Sequence, residues 1–185
     1  MSYSIHLTLK YGSRYIPIKT KYSDPVRKYV QSLRQLGTTI VIPTIVEREL
    51  YKNLWNALAE VLQLAGLGYK LIPPLLTSAQ SNFNKLKAKC DVKEPTEASI
   101  KRVREFYQEI WKRPSLQLKR EAWARLKRKS VSDGPPKGAD LSILAVGVDM
   151  LSNNPELLTL DNDFLVFSNE ILSDLGVIIR DASTV

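Results

Sequence analysis

The most constraining feature of the sequence runs from Gly138 to Asp163, where an apolar helix, a short loop and an apolar strand follow one another. The helical part opens with an acidic residue, Asp140, and the strand is followed by Asp161 and Asp163. In an open α/β sheet, ligands bind at the carboxyl ends of the strands. We therefore expect the three carboxylates to meet at that edge, where they would bind a hard divalent cation.

An earlier strand and helix extend this pattern. Residues 39–42 form a continuous apolar strand of the kind that parallel sheets bury, and a long helix follows over residues 44–65. Glu49 lies in the second turn of this helix, on the side that can face the end of the strand. Strands and helices alternate over 39–66 and again over 138–180, which predicts an α/β fold with a central, mostly parallel sheet and helices on both faces.

The chain before these residues predicts a pair of strands and one helix. Residues 3–10 alternate between apolar and polar side chains, which is the period of a half-buried strand, and residues 15–18 predict a second strand that pairs back onto the first. Asp24 and Pro25 are typical of a helix start, and Gly37 is typical of its end.

Residues 69–137 are predicted to be a helical insertion within a single domain that spans residues 1–185. Helices are expected near residues 78–89, after Thr96 and after Ser115. Thr96 and Ser115 are the predicted N-caps of the second and third of these helices. The apolar positions of the last of these helices are Leu118, Ala122 and Leu126. A mobile loop over residues 130–137 is expected to lead from this insertion to Asp140.

The positive charge of the chain is concentrated in this insertion. The whole chain has a net charge of +8, and residues 101–129, with 11 Lys and Arg against 3 Glu, carry that same net charge. A stretch of this kind predicts a polyanionic partner, nucleic acid rather than membrane, and a solvated basic helix face is the alternative. The candidate nucleic-acid-binding residues are Lys112, Arg113, Lys119, Arg120, Arg125, Lys127, Arg128 and Lys129.

Composition excludes several other classes of protein. A single cysteine, Cys90, excludes an internal disulfide framework and a multi-cysteine zinc site, and favours a reducing, cytoplasmic environment. No apolar run approaches the roughly 20 residues of a membrane span, and the first residues lack a signal-peptide pattern. A Gly-rich phosphate loop and the Ser/His/Asp and Cys/His sets are also missing, which argues against nucleotide binding and acyl transfer.

Four carboxylates are the candidate catalytic and metal-binding residues: Glu49, Asp140, Asp161 and Asp163. Like charges within a few ångströms repel strongly, so such a cluster needs a cation, a lysine or a raised pKa. Mg²⁺ or Mn²⁺ held by carboxylates is the usual solution where phosphates react. Structural roles remain as alternatives, with Asp140 as a helix N-cap and Asp163 as the cap of the helix after the strand.

Several of these segments resemble the PIN domain family of metal-dependent nucleases, which includes the toxin ribonucleases of toxin–antitoxin pairs. The similar segments are Pro43-Thr44 with Glu49-Leu50, Gly138-Ala139-Asp140 before an apolar helix, Thr159-Leu160-Asp161-Asn162-Asp163-Phe164, and Leu175-Gly176-Val177. They lie within residues 14–66 and 138–181. The basic helices between these two regions are longer than is usual in the family.

The resemblance implies a ribonuclease that hydrolyses RNA phosphodiesters with Mg²⁺ or Mn²⁺. Asp140 and Asp161 would hold the metal directly or through water, while Glu49 and Asp163 would complete its shell. The resemblance also implies RNA rather than DNA as the nucleic acid, an antitoxin or another protein as a partner, and a homodimer.

One position departs from the family pattern. PIN domains begin with a strand that ends in Asp-Thr or Asp-Ser, whose aspartate is a principal metal ligand, whereas the counterpart here is Lys19-Thr20. A lysine at this position would place its ammonium group where a metal would bind. Three hypotheses follow: an active metal-dependent ribonuclease, a catalytically degenerate PIN-like protein that binds nucleic acid or a partner, and a different α/β fold in which the acids never meet.

Overall fold

A computed structural model of the protein describes residues 7–11, 14–18, 23–64, 66 and 68–185. The chain divides into two compact units, residues 2–93 and 94–185, and each is treated separately below. The boundary between them lies inside the region predicted as a helical insertion. In the described part of the chain, no helix is long and apolar enough to cross a membrane.

In the residues that the structure describes, the N-terminal unit combines a pair of antiparallel strands, three α-helices and a short parallel strand pair. Its strands are β1 (Leu7–Tyr11), β2 (Arg14–Ile18), β3 (Val41–Pro43) and β4 (Asp91–Lys93), and its helices are α1 (Ser23–Gln35), α2 (Thr44–Leu64) and α3 (Ile72–Lys87). Strands β1 and β2 pair antiparallel, as predicted, with Leu7 opposite Ile18. Strands β3 and β4 pair in parallel, with Val41 opposite Asp91.

Helix α1 ends where the sequence predicts, because Gly37 adopts a left-handed conformation with a φ of +75°. The N–H of Gly37 donates to the carbonyl of Arg34, and the N–H of Thr38 donates to that of Leu33. These two hydrogen bonds satisfy carbonyl groups in the last turn of the helix. Glycine is favoured at this position because it has no Cβ and so adopts a positive φ without strain.

Strand β4 corrects the prediction that the region from residue 69 to residue 129 is wholly helical. It has a single apolar residue, Val92, and all three of its residues are exposed, so no alternation of apolar side chains marks it in the sequence. Its conformation depends instead on pairing with β3, which the hydrogen bond from the N–H of Asp91 to the carbonyl of Ile40 extends by one residue.

The C-terminal unit contains five helices and a second parallel strand pair. Its helices are α4 (Glu97–Lys112), α5 (Gln117–Lys127), α6 (Ala139–Val148), α7 (Asn162–Leu165) and α8 (Ser168–Leu175), and its strands are β5 (Glu156–Thr159) and β6 (Ile178–Asp181). Strand β5, helices α7 and α8, and strand β6 form a β-α-β unit, with Thr159 opposite Asp181. The helix predicted to follow residue 163 is therefore divided into two.

Helices α4 and α6 pack against each other through the core of this unit, where Val103, Tyr107, Ile110 and Leu144 are fully buried. Asp149, just after α6, fixes the beginning of α4. Its carboxylate accepts hydrogen bonds from the backbone N–H of Thr96 at 2.8 Å, from the Thr96 hydroxyl at 2.8 Å and from the Ser99 hydroxyl. The predicted N-cap role of Thr96 is confirmed, since its side chain also accepts from the N–H of Ser99.

Helix α5 departs from the prediction in its start and in its buried face. A 3₁₀ turn over Pro114–Leu116 precedes it, so Ser115 is not its N-cap. Leu118 and Leu126 are 79% and 56% exposed, whereas Trp123 is buried. The predicted apolar face thus points to solvent, because the opposite face supplies the partners of a buried carboxylate described below.

The loop after α5 also has more structure than predicted. Residues Val131–Asp133 form a 3₁₀ turn, in which the side chains of Ser130 and Asp133 cap each other's backbone N–H groups. The indole N–H of Trp111 donates to the carbonyl of Val131 at 3.1 Å and ties this turn to α4.

Among the described residues, each sheet contains two strands. The prediction of a mixed α/β fold is therefore confirmed, and so is the parallel pairing of the two predicted strands that form β5 and β6. The parallel pair of β3 with β4 involves a strand that was not predicted. A larger central sheet with helices on both faces stays a prediction.

A substitution at Gly176 tests the turn that leads from α8 into β6. Gly176 has a φ of +75°, and an added Cβ would approach the Cδ2 atom of Leu151 to 2.9 Å. We expect Gly176→Ala to lower the free energy of unfolding by about 1–2 kcal/mol, the cost of a left-handed conformation for a residue with a Cβ. Urea denaturation measures this change.

Gly68→Ala is the control, because Gly68 has a φ of −75° and nothing lies within 4 Å of its added Cβ. We expect this variant to be as stable as the wild type or slightly more stable. Equal effects of the two substitutions would contradict the conformational argument.

Candidate metal centre

Three of the four predicted carboxylates lie together in the C-terminal unit. Asp140 is in the first turn of α6, Asp161 lies two residues after the end of β5, and Asp163 is in α7. One carboxylate oxygen from each residue lies within 4.8 Å of the others. We call these three residues the aspartate cluster.

Local backbone conformation places each member of the aspartate cluster. Gly138, with a φ of +68°, occupies the N-cap position of α6, so Asp140 is not that cap. Asp161 is the N-cap of α7, since its Oδ1 accepts from the backbone N–H of Asp163 at 3.0 Å. The alternative in which Asp163 is the cap is therefore wrong, and its side chain is left to point inward instead.

The carboxylate of Asp163 is buried, with 3% of the residue exposed. Its Oδ1 accepts from the indole N–H of Trp123 at 2.6 Å, and its Oδ2 accepts from Nζ of Lys127 at 2.6 Å. Its backbone carbonyl accepts from the hydroxyl of Tyr107 at 2.8 Å. Burial of a carboxylate is tolerated only when donors replace the lost water, and here α4 and α5 supply them.

Lys127 lies within the aspartate cluster and bridges two of its members. Its Nζ is 2.8 Å from Oδ1 of Asp161 and 2.6 Å from Oδ2 of Asp163. Burial lowers the pKa of Lys127, but the hydrogen bonds to Asp161 and Asp163 outweigh that effect and raise the pKa above its usual range. The ammonium group therefore stays charged at neutral pH.

The pKa values of Asp140 and Asp161 are shifted in opposite directions. Burial and the charges of Asp163 and Asp161 raise the pKa of Asp140 to about 7, against a usual value of 3.8. Burial also acts to raise the pKa of Asp161. The hydrogen bond from the backbone N–H of Asp163, together with the hydrogen bond and charge of the Lys127 ammonium group, outweighs burial, so the pKa of Asp161 is lowered overall. Burial, followed by the charges of the three carboxylates, raises the pKa of the Tyr107 hydroxyl well above its usual value. The cluster therefore has more negative charge than Lys127 neutralises.

The remaining predicted site residues lie elsewhere. Glu49 is half-buried in α2 of the N-terminal unit, and its predicted place in the metal shell stays a prediction. Lys19 and Thr20 lie outside the described residues, so the predicted effect of a lysine at that position is also untested. Sequence analysis missed Trp123 and Lys127 as partners of the acids. Their spacing of four residues places them on one face of α5, but Leu118, Ala122 and Leu126 have the same helical spacing, so it does not by itself identify them.

The eight basic candidates divide into two groups of four. In the first group, Arg113 pairs with Asp174 at 2.8 Å, Lys119 pairs with Glu170 at 2.7 Å, and Lys127 contacts the aspartate cluster. The fourth member, Arg120, donates to the backbone carbonyls of Ile110 and Arg113. The second group is exposed and consists of Lys112, Arg125, Arg128 and Lys129.

No model of a known protein family, no curated protein sequence and no solved structure matches the chain.

The raised pKa of Asp140 predicts a pH-dependent stability. Between its usual pKa of 3.8 and its folded value of about 7, this carboxyl binds more protons in the folded than in the unfolded state. Its contribution to the free energy of unfolding therefore falls as the pH rises from about 4 to about 7. Because Asp140→Asn cannot ionise, we expect this variant to lose less stability than the wild type over that interval in metal-free buffer.

Urea denaturation at about pH 5 and about pH 7.5, with a chelator present, measures the difference. The lowered pKa of Asp161 acts at lower pH, since the stability that it contributes is lost only as the pH falls below about 4. Equal losses of stability in the wild type and in Asp140→Asn would contradict the assignment of the shift to Asp140.

A substitution of Trp123 tests the hydrogen bond to Asp163. Trp123→Phe keeps an aromatic ring in the core but removes the indole donor, and leaves Oδ1 of a buried carboxylate without that partner. We expect a loss of about 1–3 kcal/mol in the free energy of unfolding. Trp55→Phe, at an exposed position of α2, is the control and should have little effect. A loss of similar size at both positions would refute the argument.

Proposed function

We propose that the aspartate cluster is a binding site for Mg²⁺ or Mn²⁺ and that the protein is a PIN-like nuclease, which hydrolyses RNA phosphodiesters. The observation that carries this proposal is the excess negative charge of the cluster. Three carboxylates converge around one lysine, which contacts Asp161 and Asp163. Burial, together with the charges of Asp163 and Asp161, raises the pKa of Asp140 to about 7. Binding of a divalent cation would relieve the repulsion between the carboxylates, and this relief would favour binding.

The donor set fits a hard divalent cation. All three ligands are carboxylates, which Mg²⁺ and Mn²⁺ prefer over nitrogen and sulfur ligands. Their oxygens converge within 4.8 Å, and each oxygen has more than one lone pair, so the donors already in contact with Asp161 and Asp163 do not exhaust their capacity. The half-burial of Asp140 and Asp161 also leaves the cluster accessible from solvent.

Each residue of the cluster then has a role. Asp140 and Asp161 would hold the cation, and Asp163, which Trp123 keeps in place, would complete the set or orient the attacking water. The backbone N–H of Asp161 donates to the hydroxyl of Thr159 at 2.9 Å, which fixes the turn that carries Asp161 and Asp163. When bound, a divalent cation would make water more acidic and would stabilise the negative charge that develops on the reacting phosphate.

Exposed cations near the end of α5 support nucleic acid as the substrate. Arg125, Arg128 and Lys129 are exposed at the end of α5, in the same segment as Lys127. Nζ of Lys129 lies 5.9 Å from the ring centre of Trp123, whose indole N–H contacts Asp163. Phosphates bound by these residues would therefore lie close to the carboxylates.

The resemblance to PIN domains supplies the remaining parts of this proposal. They are a larger central parallel sheet, RNA rather than DNA as substrate, an antitoxin or another protein as partner, a homodimer and a cytoplasmic location.

A second candidate function is that of a catalytically degenerate PIN-like protein that binds nucleic acid or a protein partner. Two observations favour it. Lys127 already supplies a positive charge to Asp161 and Asp163, and the resemblance to PIN domains implies that a lysine, Lys19, replaces the family's acidic metal ligand. In that case the basic segment retains its function and the carboxylates are structural.

Calorimetry with Mn²⁺, together with cleavage of a labelled single-stranded RNA, separates the two functions. We expect the wild type to bind Mn²⁺ and to cleave RNA, and we expect Asp161→Asn to lose both activities because it removes a charged ligand. Asp91→Asn, at an exposed acid of β4, is the matched control and should keep both.

Two results would decide against the nuclease. A wild-type protein that binds RNA but neither Mn²⁺ nor Mg²⁺ would establish the second candidate. Cleavage that persists unchanged in Asp161→Asn would place the activity outside the aspartate cluster.

A further inference from the structure

We infer that Lys127 takes the place of a second cation, so that the aspartate cluster binds one divalent ion while Lys127 remains in contact with Asp161 and Asp163. This inference rests on the proposed metal centre and concerns how many ions that centre holds. It makes Lys127 a positioning residue of the site rather than one of the nucleic-acid-binding residues predicted from the basic segment.

The contacts of Lys127 have the geometry of a bridging cation. Its Nζ is within 2.8 Å of one oxygen from Asp161 and within 2.6 Å of one from Asp163, and both hydrogen bonds join charged groups. In sites with two metal ions, carboxylates bridge cations that lie about 3.5–4 Å apart. A lysine that bridges two of the three carboxylates therefore occupies a position that a second ion would need.

The charges balance only if the lysine stays. Three ionised aspartates carry three negative charges, Lys127 neutralises one of them, and two remain for a single divalent cation. Two divalent ions together with Lys127 would instead leave an excess of positive charge beside the buried carboxylate of Asp163. Such an excess is unfavourable where water is partly excluded.

Packing holds Lys127 at its position. Trp123 and Lys127 are four residues apart on α5 and contact the two different oxygens of Asp163, so the helix presents both donors together. Only 22% of the Lys127 side chain is exposed. Withdrawal of the lysine into solvent would leave Oδ2 of a buried carboxylate without its partner, which disfavours simple exchange of Lys127 for the ion.

The test counts bound Mn²⁺ in the wild type, Lys127→Met and Lys127→Arg, by calorimetry and by electron paramagnetic resonance. We expect one ion for the wild type and for Lys127→Arg, which keeps the charge. We expect two ions for Lys127→Met, together with the signal of a spin-coupled pair. Saturating Mn²⁺ should also raise the melting temperature of Lys127→Met by more than that of the wild type, because the second ion replaces the lost ammonium.

Lys87→Met is the matched control, since Lys87 is a half-buried lysine whose ammonium lies 2.5 Å from Glu47 and whose loss changes the net charge equally. It should bind one Mn²⁺, like the wild type. Two ions in the wild type would overturn the inference and leave the metal centre intact. One ion in Lys127→Met, bound more tightly than in the wild type, would show that Lys127 is displaced, which also overturns it.

No Mn²⁺ in the wild type would refute the proposed metal centre itself. The wild-type count needs no variant to fold, so the inference stays open to refutation if Lys127→Met is unstable.

Discussion

The repulsion between three carboxylates is the interaction on which the architecture of the C-terminal unit depends. Asp140, Asp161 and Asp163 converge within 4.8 Å, and one of them is buried. Such an arrangement is stable only because neighbouring elements supply compensating donors and charge. Helix α5 contributes Trp123 and Lys127 for that purpose. The position of this helix is therefore set by polar contacts with the cluster as well as by apolar packing of Trp123 and Ala124.

Four of the 11 basic residues in the segment 101–129 are not exposed, because ion pairs and hydrogen bonds hold them against the rest of the unit. A stretch with a net charge of +8 suggests a surface for polyanions, yet Arg113 and Lys119 pair with Asp174 and Glu170, and Lys127 pairs with the aspartate cluster. These ion pairs attach the segment to the rest of its unit. The exposed residues at the end of α5, Arg125, Arg128 and Lys129, are the part of this segment that we propose binds phosphates. The residues that attach the basic segment to its unit are thus different from those that we propose bind phosphates.

The sequence predicted those features that depend on local signals. Thr96 begins a helix because its hydroxyl can accept the N–H of Ser99, and Asp140, Asp161 and Asp163 converge because one starts a helix and two follow a strand. What failed depended on tertiary partners. Two faces of α5 have a helical spacing of four residues, one with Leu118, Ala122 and Leu126 and the other with Trp123 and Lys127. The second face turns inward because its two residues contact the buried carboxylate of Asp163. Strand β4 is formed by its partner rather than by its own apolar pattern. Among 11 basic residues, nothing in the sequence singles out the one that reaches the acids.

The central claim is that the aspartate cluster binds a divalent cation, and anomalous diffraction from a crystal grown with Mn²⁺ tests it most directly. The account predicts one anomalous peak among the side chains of Asp140, Asp161 and Asp163, with the ammonium of Lys127 still in contact with Asp161 and Asp163. The absence of a peak at saturating Mn²⁺, with the three carboxylates and Lys127 arranged as they are here, would contradict it.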